Sequence, residues 1–280
     1  MPRPFQLVDV FGVGPFSGNP LAVVAAADGL STAQMQAITR WMNLSETAFL
    51  LEPTRPDADY RVRIFTLSRE LPFAGHPTLG SCHAWLTGGG RPRRPGLVVQ
   101  ECGAGLVTVR ETDGLLAFAA PPLIRSGPVA RDDLAEAAAM LRIDPADVVE
   151  ARWIDNGPGW MGLMLGSAAA VLAVEPAGHH PRPIDVGLVG PHPQGSAAAF
   201  ELRALFTAPS GTIVEDPVTG SLNASVGQWL FETGRASGGY VAAQGTRIGR
   251  TGRIHVTQGR DGAVWVGGRT ETLFSGREGV

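Results

Sequence analysis

An internal repeat constrains the fold of this chain more than any other feature. The segments "FTLSRELPFAGHPTLGS" (65–81) and "FTAPSGTIVEDPVTGS" (206–221) both begin with Phe-Thr and end with Pro-x-x-Gly-Ser. Aligning them places His76 over Asp216, 140 residues apart, and each segment runs into an apolar stretch that contains Trp-Leu. Such a repeat predicts two lobes of similar structure. A chance similarity is the alternative, because the matched segments are short.

Each copy of the repeat predicts the start of a helix. Proline suits the first helical position, so Pro77 and Pro217 predict helices over about 77–86 and 217–233, with His76 and Asp216 as their N-caps. The N–H groups at a helix start attract carboxylates. If the lobes face each other, the two helix starts converge on one cleft, with His76 and Asp216 on opposite walls. The ligand expected there carries a carboxylate.

Other segments outline the two lobes. Alternating or apolar runs predict strands near 5–11, 21–27, 47–53, 60–66, 96–100, 105–110, 115–119, 149–154, 160–166, 198–206, 240–244, 252–257 and 262–267. They also predict helices over 31–42 and 131–143. Ser31 and Gln34 have the spacing of a capping box. The proline-rich segment 118–129 predicts a boundary between lobes 1–122 and 123–280, with the last strand or tail packing back on the first lobe. The segment 175–196, rich in proline and glycine, is predicted to be an irregular loop.

Composition excludes several classes of function. The net charge is −3 and the only basic run is "RPRR" (91–94), so nucleic acid is not an expected partner. No apolar stretch approaches the roughly 20 residues of a membrane span, and the N-terminus lacks the layout of a signal peptide. With two cysteines, Cys82 and Cys102, we expect a cytoplasmic protein without a disulfide framework. A homodimer is a candidate assembly.

The chain contains no lysine, since all 23 residues counted as Lys or Arg are arginine. Pyridoxal-phosphate enzymes, Schiff-base aldolases and P-loop nucleotidases each need a lysine at the reacting centre. All three classes are therefore excluded.

Glu46 is the third candidate for acid–base chemistry. It lies in "NLSETAFLL" (43–51), between a predicted helix end and an apolar strand. Partial desolvation there would raise the pKa of its carboxyl group, as a general acid or base working near neutral pH requires. The alternative is an exposed turn residue without a catalytic role.

Four motifs together resemble those of the phenazine-biosynthesis PhzF-like family: "DVFGVGPFSGNPLAVV", "MNLSETAFLL", "FTLSRELPFAGHPTLGS" and "EDPVTGSLNASVGQWL". They occur in the expected order and cover nearly the whole chain. The resemblance implies an α+β fold like that of diaminopimelate epimerase, in which two pseudo-symmetric lobes each wrap a curved, mostly antiparallel sheet around a central helix. The best-known member isomerises trans-2,3-dihydro-3-hydroxyanthranilate without a cofactor.

The resemblance also implies roles for individual residues. Glu46 would shuttle the proton, and His76 and Asp216 would complete the catalytic set. The substrate would be held by Ser221, by backbone groups around Gly75 and Gly220, and by Asn19. Leu67 departs from the proline that the family usually has after Phe-Thr, which alters the turn but removes no functional group. The function expected is a cofactor-independent isomerase that moves a proton between carbons of a small carboxylate.

Rival interpretations remain open at this stage. His76, Asp216 and Ser221 superficially resemble a hydrolase triad, but no Gly-x-Ser-x-Gly elbow is present. A binding protein that has lost the chemistry is a second alternative. A two-thiol racemase is disfavoured because the glycine turns lack cysteine. The histidines at 179, 180 and 192 lack regular ligand spacing, so a metal site is not expected. For Trp160, a place in the wall of the cleft and a place in the core are equal alternatives.

Overall fold

The chain folds into two compact units. A computed structural model describes residues 2–278. The first unit contains the described residues up to Ala119 and those from Gly267 onward, and the second is Ala120–Val266. The second unit is thus inserted between two segments of the first.

The first unit has nine strands and two helices among the described residues. They are β1 (Arg3–Val10), β2 (Asn19–Val24), α1 (Thr32–Met42), β3 (Glu46–Leu51), β4 (Tyr60–Thr66), β5 (Glu70–Leu71), α2 (Gly75–Thr87), β6 (Leu97–Cys102), β7 (Gly105–Thr112), β8 (Leu115–Ala119) and, at the far end of the chain, β18 (Thr270–Glu278). The predicted capping box at the start of α1 is confirmed, because Ser31 and Gln34 each bond to the other's backbone.

The second unit contains β9 (Arg125–Pro128), α3 (Arg131–Leu141), β10 (Val148–Asp155), β11 (Met161–Leu165), α4 (Ala168–Ala173), β12 (Asp185–Pro191), β13 (Phe200–Thr207), β14 (Ile213–Asp216), α5 (Gly220–Glu232), β15 (Tyr240–Gln244) and β16 (Gly252–Gln258). Strand β17 (Val264–Gly268) lies where the chain passes back to the first unit.

Strand pairing is the same in both units. In the first, β1–β2, β3–β4, β4–β5 and β6–β7 are antiparallel, whereas β2–β3 and β4–β6 are parallel. In the second, β10–β11, β12–β13, β13–β14 and β15–β16 are antiparallel, whereas β11–β12 and β13–β15 are parallel. The predicted α+β class with two similar lobes is confirmed.

A central helix belongs to each unit. Helices α2 and α5 both have 13 residues, of which nine are buried. Helix α2 packs against β1, β2, β3 and β8, and α5 packs against β10 and β16. A helix buried on most of its faces is the core of its lobe rather than a surface element.

The prediction of an irregular loop over 175–196 is wrong, because β12 lies inside it and is buried over most of its length. Glycine and proline normally indicate a turn, but glycine has another use here. A Cβ at Gly187 would lie 2.2 Å from Leu222 Cδ1 of α5, and a Cβ at Gly190 would lie 2.4 Å from the Ser167 carbonyl oxygen. These glycines allow close packing inside a strand. The short elements β5, β9, β14 and α4 were not predicted either.

No helix in residues 2–278 is both long enough and apolar enough to cross a membrane.

Candidate active site

Helix α2 begins one residue before His76. The prediction that His76 is the N-cap is wrong, because Ala74 is the N-cap, Gly75 is the first helical residue and His76 is the second. The side chain of Ala74 cannot accept a hydrogen bond from the first N–H groups of the helix, so it leaves these groups to other partners. His76 is 4% exposed, so the helix holds its imidazole inside the first unit.

Glu46 and His76 face each other. Glu46 is the first residue of β3, and its Oε2 lies 3.5 Å from His76 Nε2. The Glu46 side chain is only 17% exposed. The alternative that Glu46 is an exposed turn residue is therefore wrong, and the structure brings this carboxylate and this imidazole together.

Burial keeps the His76 imidazole neutral. Desolvation lowers the pKa of His76 to about 3, because the charged imidazolium would be removed from water. An ion pair with Glu46 needs a protonated ring, so near pH 7 the contact joins a carboxylate to a neutral imidazole. In that state His76 can donate or accept a hydrogen bond, but it carries no charge.

Asn19 contacts the other side of the His76 ring. Asn19 is fully buried at the start of β2, and its Nδ2 lies 3.4 Å from His76 Nδ1. The loop before it is held by Asp9, whose carboxylate accepts hydrogen bonds from the N–H groups of Ser17 (2.9 Å) and Gly18 (2.8 Å). Gly18 has no room for a side chain, since its Cβ would lie 2.2 Å from the Val10 carbonyl oxygen. Sequence reasoning missed Asp9, although "DVFGVGPFSGNP" contains it.

Asp216 lies in the second unit, at the end of β14. The prediction that Asp216 caps α5 is wrong, because the N-cap is Thr219 and the helix begins at Gly220. The Thr219 hydroxyl donates to Asp216 Oδ2 instead of capping the helix. Gln244 Nε2 donates to the Asp216 carbonyl (3.2 Å) and to Thr219 Oγ1 (2.9 Å), which fixes the turn between β14 and α5.

Ser221 is the second residue of α5, the position that His76 has in α2, so the predicted alignment of His76 with Asp216 is wrong at the helix starts. Its Oγ accepts a hydrogen bond from Trp160 Nε1 (3.1 Å), and its carbonyl accepts one from Asn156 Nδ2 (2.9 Å). Trp160 is buried, which favours the core assignment over an exposed cleft wall. An indole N–H only donates, so Trp160 cannot take a proton from Ser221.

The predicted site residues therefore form two groups. Glu46, His76, Gly75 and Asn19 lie in the first unit, whereas Asp216, Gly220 and Ser221 lie in the second. Each group surrounds the start of a central helix that has no side-chain cap. The meeting of the two groups at one substrate stays a prediction.

The three histidines of the segment 179–192 have separate surroundings. His179 pairs with Thr212, His180 Nε2 lies 3.3 Å from Glu136, and His192 Nε2 lies 3.0 Å from Glu201. Within residues 2–278, no group of three or more His, Cys, Asp or Glu side chains could hold a metal ion.

The two free cysteines both belong to the first unit. Burial raises the pKa of the Cys82 thiol to about 12 and also raises that of Cys102. A two-thiol racemase of the kind considered above needs one reactive thiolate on each lobe, so these positions do not fit it.

Comparisons with known proteins agree with this fold and these motifs. A family profile described as "Phenazine biosynthesis-like protein" matches residues 8–276. Antisense-enhancing sequence 1 of Schizosaccharomyces pombe is 33% identical over 288 residues, covering 98% of this chain and 97% of that protein. Trans-2,3-dihydro-3-hydroxyanthranilate isomerase of Pseudomonas chlororaphis is 32% identical over 253 residues, covering 88% and 87%. A solved Pseudomonas aeruginosa structure described as a predicted epimerase has a TM-score of 0.78 and 28% identity, with 99% of both chains covered.

The two similar lobes, each with a central helix, form an epimerase-like fold, and the named relatives make this chain an isomerase. Within that class, the chain belongs to the phenazine biosynthesis-like, or PhzF-like, family. The family and the fold predicted from the motifs are confirmed.

Proposed function

We propose that this protein is a cofactor-independent isomerase that moves a proton between two carbons of a small substrate bearing a carboxylate. The observation that carries the proposal is the contact between Glu46 Oε2 and the buried, neutral imidazole of His76. A carboxylate is a suitable general base for carbon acids once it is positioned out of bulk water. The relative from P. chlororaphis is named as an isomerase of a carboxylate, trans-2,3-dihydro-3-hydroxyanthranilate, which supports this class of substrate.

Glu46 takes the proton from one carbon and returns it to another. His76 is neutral, so it offers a hydrogen bond to the negative charge that develops on the substrate without lowering the basicity of Glu46 as a cation would. Asp216 positions the substrate from the second unit. Ser221 and the N–H groups near Gly75 and Gly220 hold its carboxylate, because neither helix start has a side-chain cap that would occupy these donors. Asn19 is fully buried against His76, so its expected role in substrate binding is exerted through that ring.

Two alternatives are tested against this proposal. A non-catalytic binding protein would bind the same carboxylates without exchanging their protons. A serine hydrolase would need Ser221 as nucleophile, whereas its hydroxyl oxygen accepts from Trp160. A fluorophosphonate that labels Ser221 covalently would favour the hydrolase.

The experiment is a screen of small cyclic and amino-acid-like carboxylates in deuterium oxide, with mass spectrometry of the recovered compounds. The expected result is solvent deuterium at carbon in at least one compound. The Glu46→Gln variant keeps the shape but removes the base, so turnover should fall by about 10²-fold or more. Glu52→Gln is the matched control, because Glu52 directly follows the same strand and is exposed. Equal turnover in Glu46→Gln and wild type would contradict the proposal.

The homodimer, the cytoplasmic location and the absence of a nucleic-acid partner also stay predictions. Analytical ultracentrifugation of the full chain tests the first of them.

A further inference from the structure

The position of the Asn19 amide is determined by rigid surroundings. Asn19 is the first residue of β2 and pairs with Val10 of β1. The loop that precedes it is held by two hydrogen bonds to Asp9, and no atom of Asn19 is exposed. Its amide therefore meets His76 Nδ1 in a fixed orientation, across a long hydrogen bond of 3.4 Å between Nδ2 and Nδ1.

The direction of that hydrogen bond follows from the chemistry of the two groups. An amide nitrogen carries two hydrogens and can only donate. A neutral imidazole has one nitrogen that donates and one that accepts, and the hydrogen bond at one nitrogen decides which form is present. If Asn19 Nδ2 donates, His76 Nδ1 must accept, and the single ring proton is then on Nε2.

We infer that Asn19 is a positioning residue that holds His76 in the Nε2–H tautomer. The only N–H of the ring then points to the side on which Glu46 Oε2 lies, 3.5 Å from Nε2. The opposite tautomer would place a nitrogen lone pair against a carboxylate oxygen, which is repulsive, and would also oppose the Asn19 amide. Both neighbours of the ring therefore favour the same tautomer.

This tautomer has a consequence for the proposed reaction. The hydrogen bond that His76 offers lies on the side where Glu46 transfers its proton, so charge developing there meets a donor without any rearrangement of the ring. The inference concerns the site of the proposed function, but its readout needs no turnover. The two can therefore fail independently.

The test is ¹⁵N NMR of the full chain labelled with ¹⁵N-histidine, near pH 7. His76 is one of six histidines and is assigned by the signals that disappear in His76→Gln. A ring nitrogen without a proton resonates far downfield of one that carries a proton. We expect His76 Nδ1 to be unprotonated and Nε2 to be protonated in the wild type, and the opposite arrangement overturns the inference.

Asn19→Asp is the diagnostic variant. A carboxylate can only accept at this position, so His76 should change to Nδ1–H or take up a second proton, with a raised pKa. Ser17→Ala is the matched control, because it loosens the same loop without removing the amide. A tautomer unchanged by Asn19→Asp would overturn the inference, as would an equal change in Ser17→Ala. If Asn19→Asp does not fold, the wild-type spectrum alone decides.

Discussion

The first turns of α2 and α5 occupy equivalent places in the two units but contain different chemistry. At the second helical position the first unit has His76, a titratable ring next to a carboxylate, and the second has Ser221, a hydroxyl that accepts from Trp160. In the second unit, Gln244 also donates a hydrogen bond to Thr219, in the turn that precedes α5. The scaffold thus determines where a helix starts, whereas the side chains place a carboxylate–imidazole pair in one unit and a fixed hydrogen-bonding frame in the other.

A similar difference occurs on the hairpins that lead to these helices. In the second unit Arg203 is buried and bonds to Glu215 (Nη2–Oε2, 2.8 Å), and it also donates to the carbonyls of Val171 and Val174. When Phe65 is aligned with Phe206, the strand registers place Val62 and Leu71 of the first unit at these positions. The second unit therefore has a buried ion pair where the first unit has two apolar side chains.

Replacing Glu215 should have the largest effect on stability. Glu215→Leu leaves the Arg203 guanidinium buried without its carboxylate, so the free energy of unfolding should fall by about 3–5 kcal/mol. Arg203→Val with Glu215→Leu, which copies the first unit, should recover part of this loss but not the bonds to Val171 and Val174. Chemical denaturation measures both.

The control is the exposed pair Arg63–Glu70 on the hairpin of the first unit. Glu70→Gln should lower the free energy of unfolding by less than about 1 kcal/mol, because water screens this pair. The interpretation of Arg203 as a buried charge that needs its partner is wrong if Glu215→Leu is no more destabilising than Glu70→Gln.

Close packing of the central helices should give the next largest effect. In the first unit the glycine is on the helix, where a Cβ at Gly80 would lie 2.5 Å from Leu21 Cδ2. In the second it is on the strand, at Gly187 beside Leu222. Gly187→Ala should destabilise by about 1–3 kcal/mol through overpacking. Gly80→Ala should destabilise less, because its contact of 2.5 Å with Leu21 Cδ2 is less severe than the contact of 2.2 Å that Gly187→Ala makes with Leu222. Thermal unfolding of the two variants compares them, and a larger loss for Gly80→Ala would contradict this account.

The last prediction concerns the response to acid. His76 has a pKa of about 3 in the folded chain and about 6.5 when unfolded. Between these values the unfolded state binds a proton that the folded state does not. The stability present above pH 6.5 is therefore lost as pH falls towards 3, by at most about 1.4 kcal/mol per pH unit.

Denaturation at several pH values measures this slope. In His76→Gln, the part of the pH dependence of the unfolding free energy that is due to His76 should disappear. Ser221→Ala removes the equivalent residue of the second unit, which does not titrate, so its curve should run parallel to that of the wild type. If the unfolding free energies of all three proteins vary with pH in parallel, His76 has the same pKa in the folded and unfolded states, which contradicts the prediction.

Much of the fold could be predicted from the sequence because the repeat and the capping signal are local. Ser31 and Gln34 are three residues apart, and the two Phe-Thr copies both end a strand, β4 and β13. Strand β12 could not be predicted, since the reason for Gly187 is the side chain of Leu222, which is distant in sequence. The Arg203–Glu215 pair was missed for a similar reason, because a charged residue in a strand normally predicts an exposed face.

The candidate site shows the same limit. Glu46 and His76 were identified by their motifs, and the structure brings them together. The helix starts were wrong because Pro77 and Pro217 are each close to a helix start, yet only Pro77 is inside the helix. No sequence pattern shows that His76 remains neutral, since its pKa depends on how completely the fold removes water from the ring.

The pairing of β1 with β18 has a consequence for how the chain acquires its structure during synthesis. Strand β1 is made before the inserted unit, but its partner, residues 270–278, is made after the whole inserted unit. Contacts between segments so distant in sequence form slowly. We therefore expect the inserted unit to complete its fold first. Until residues 270–278 are made, the edge of β1 that pairs with β18 stays unpaired and accessible to chaperones or to aggregation.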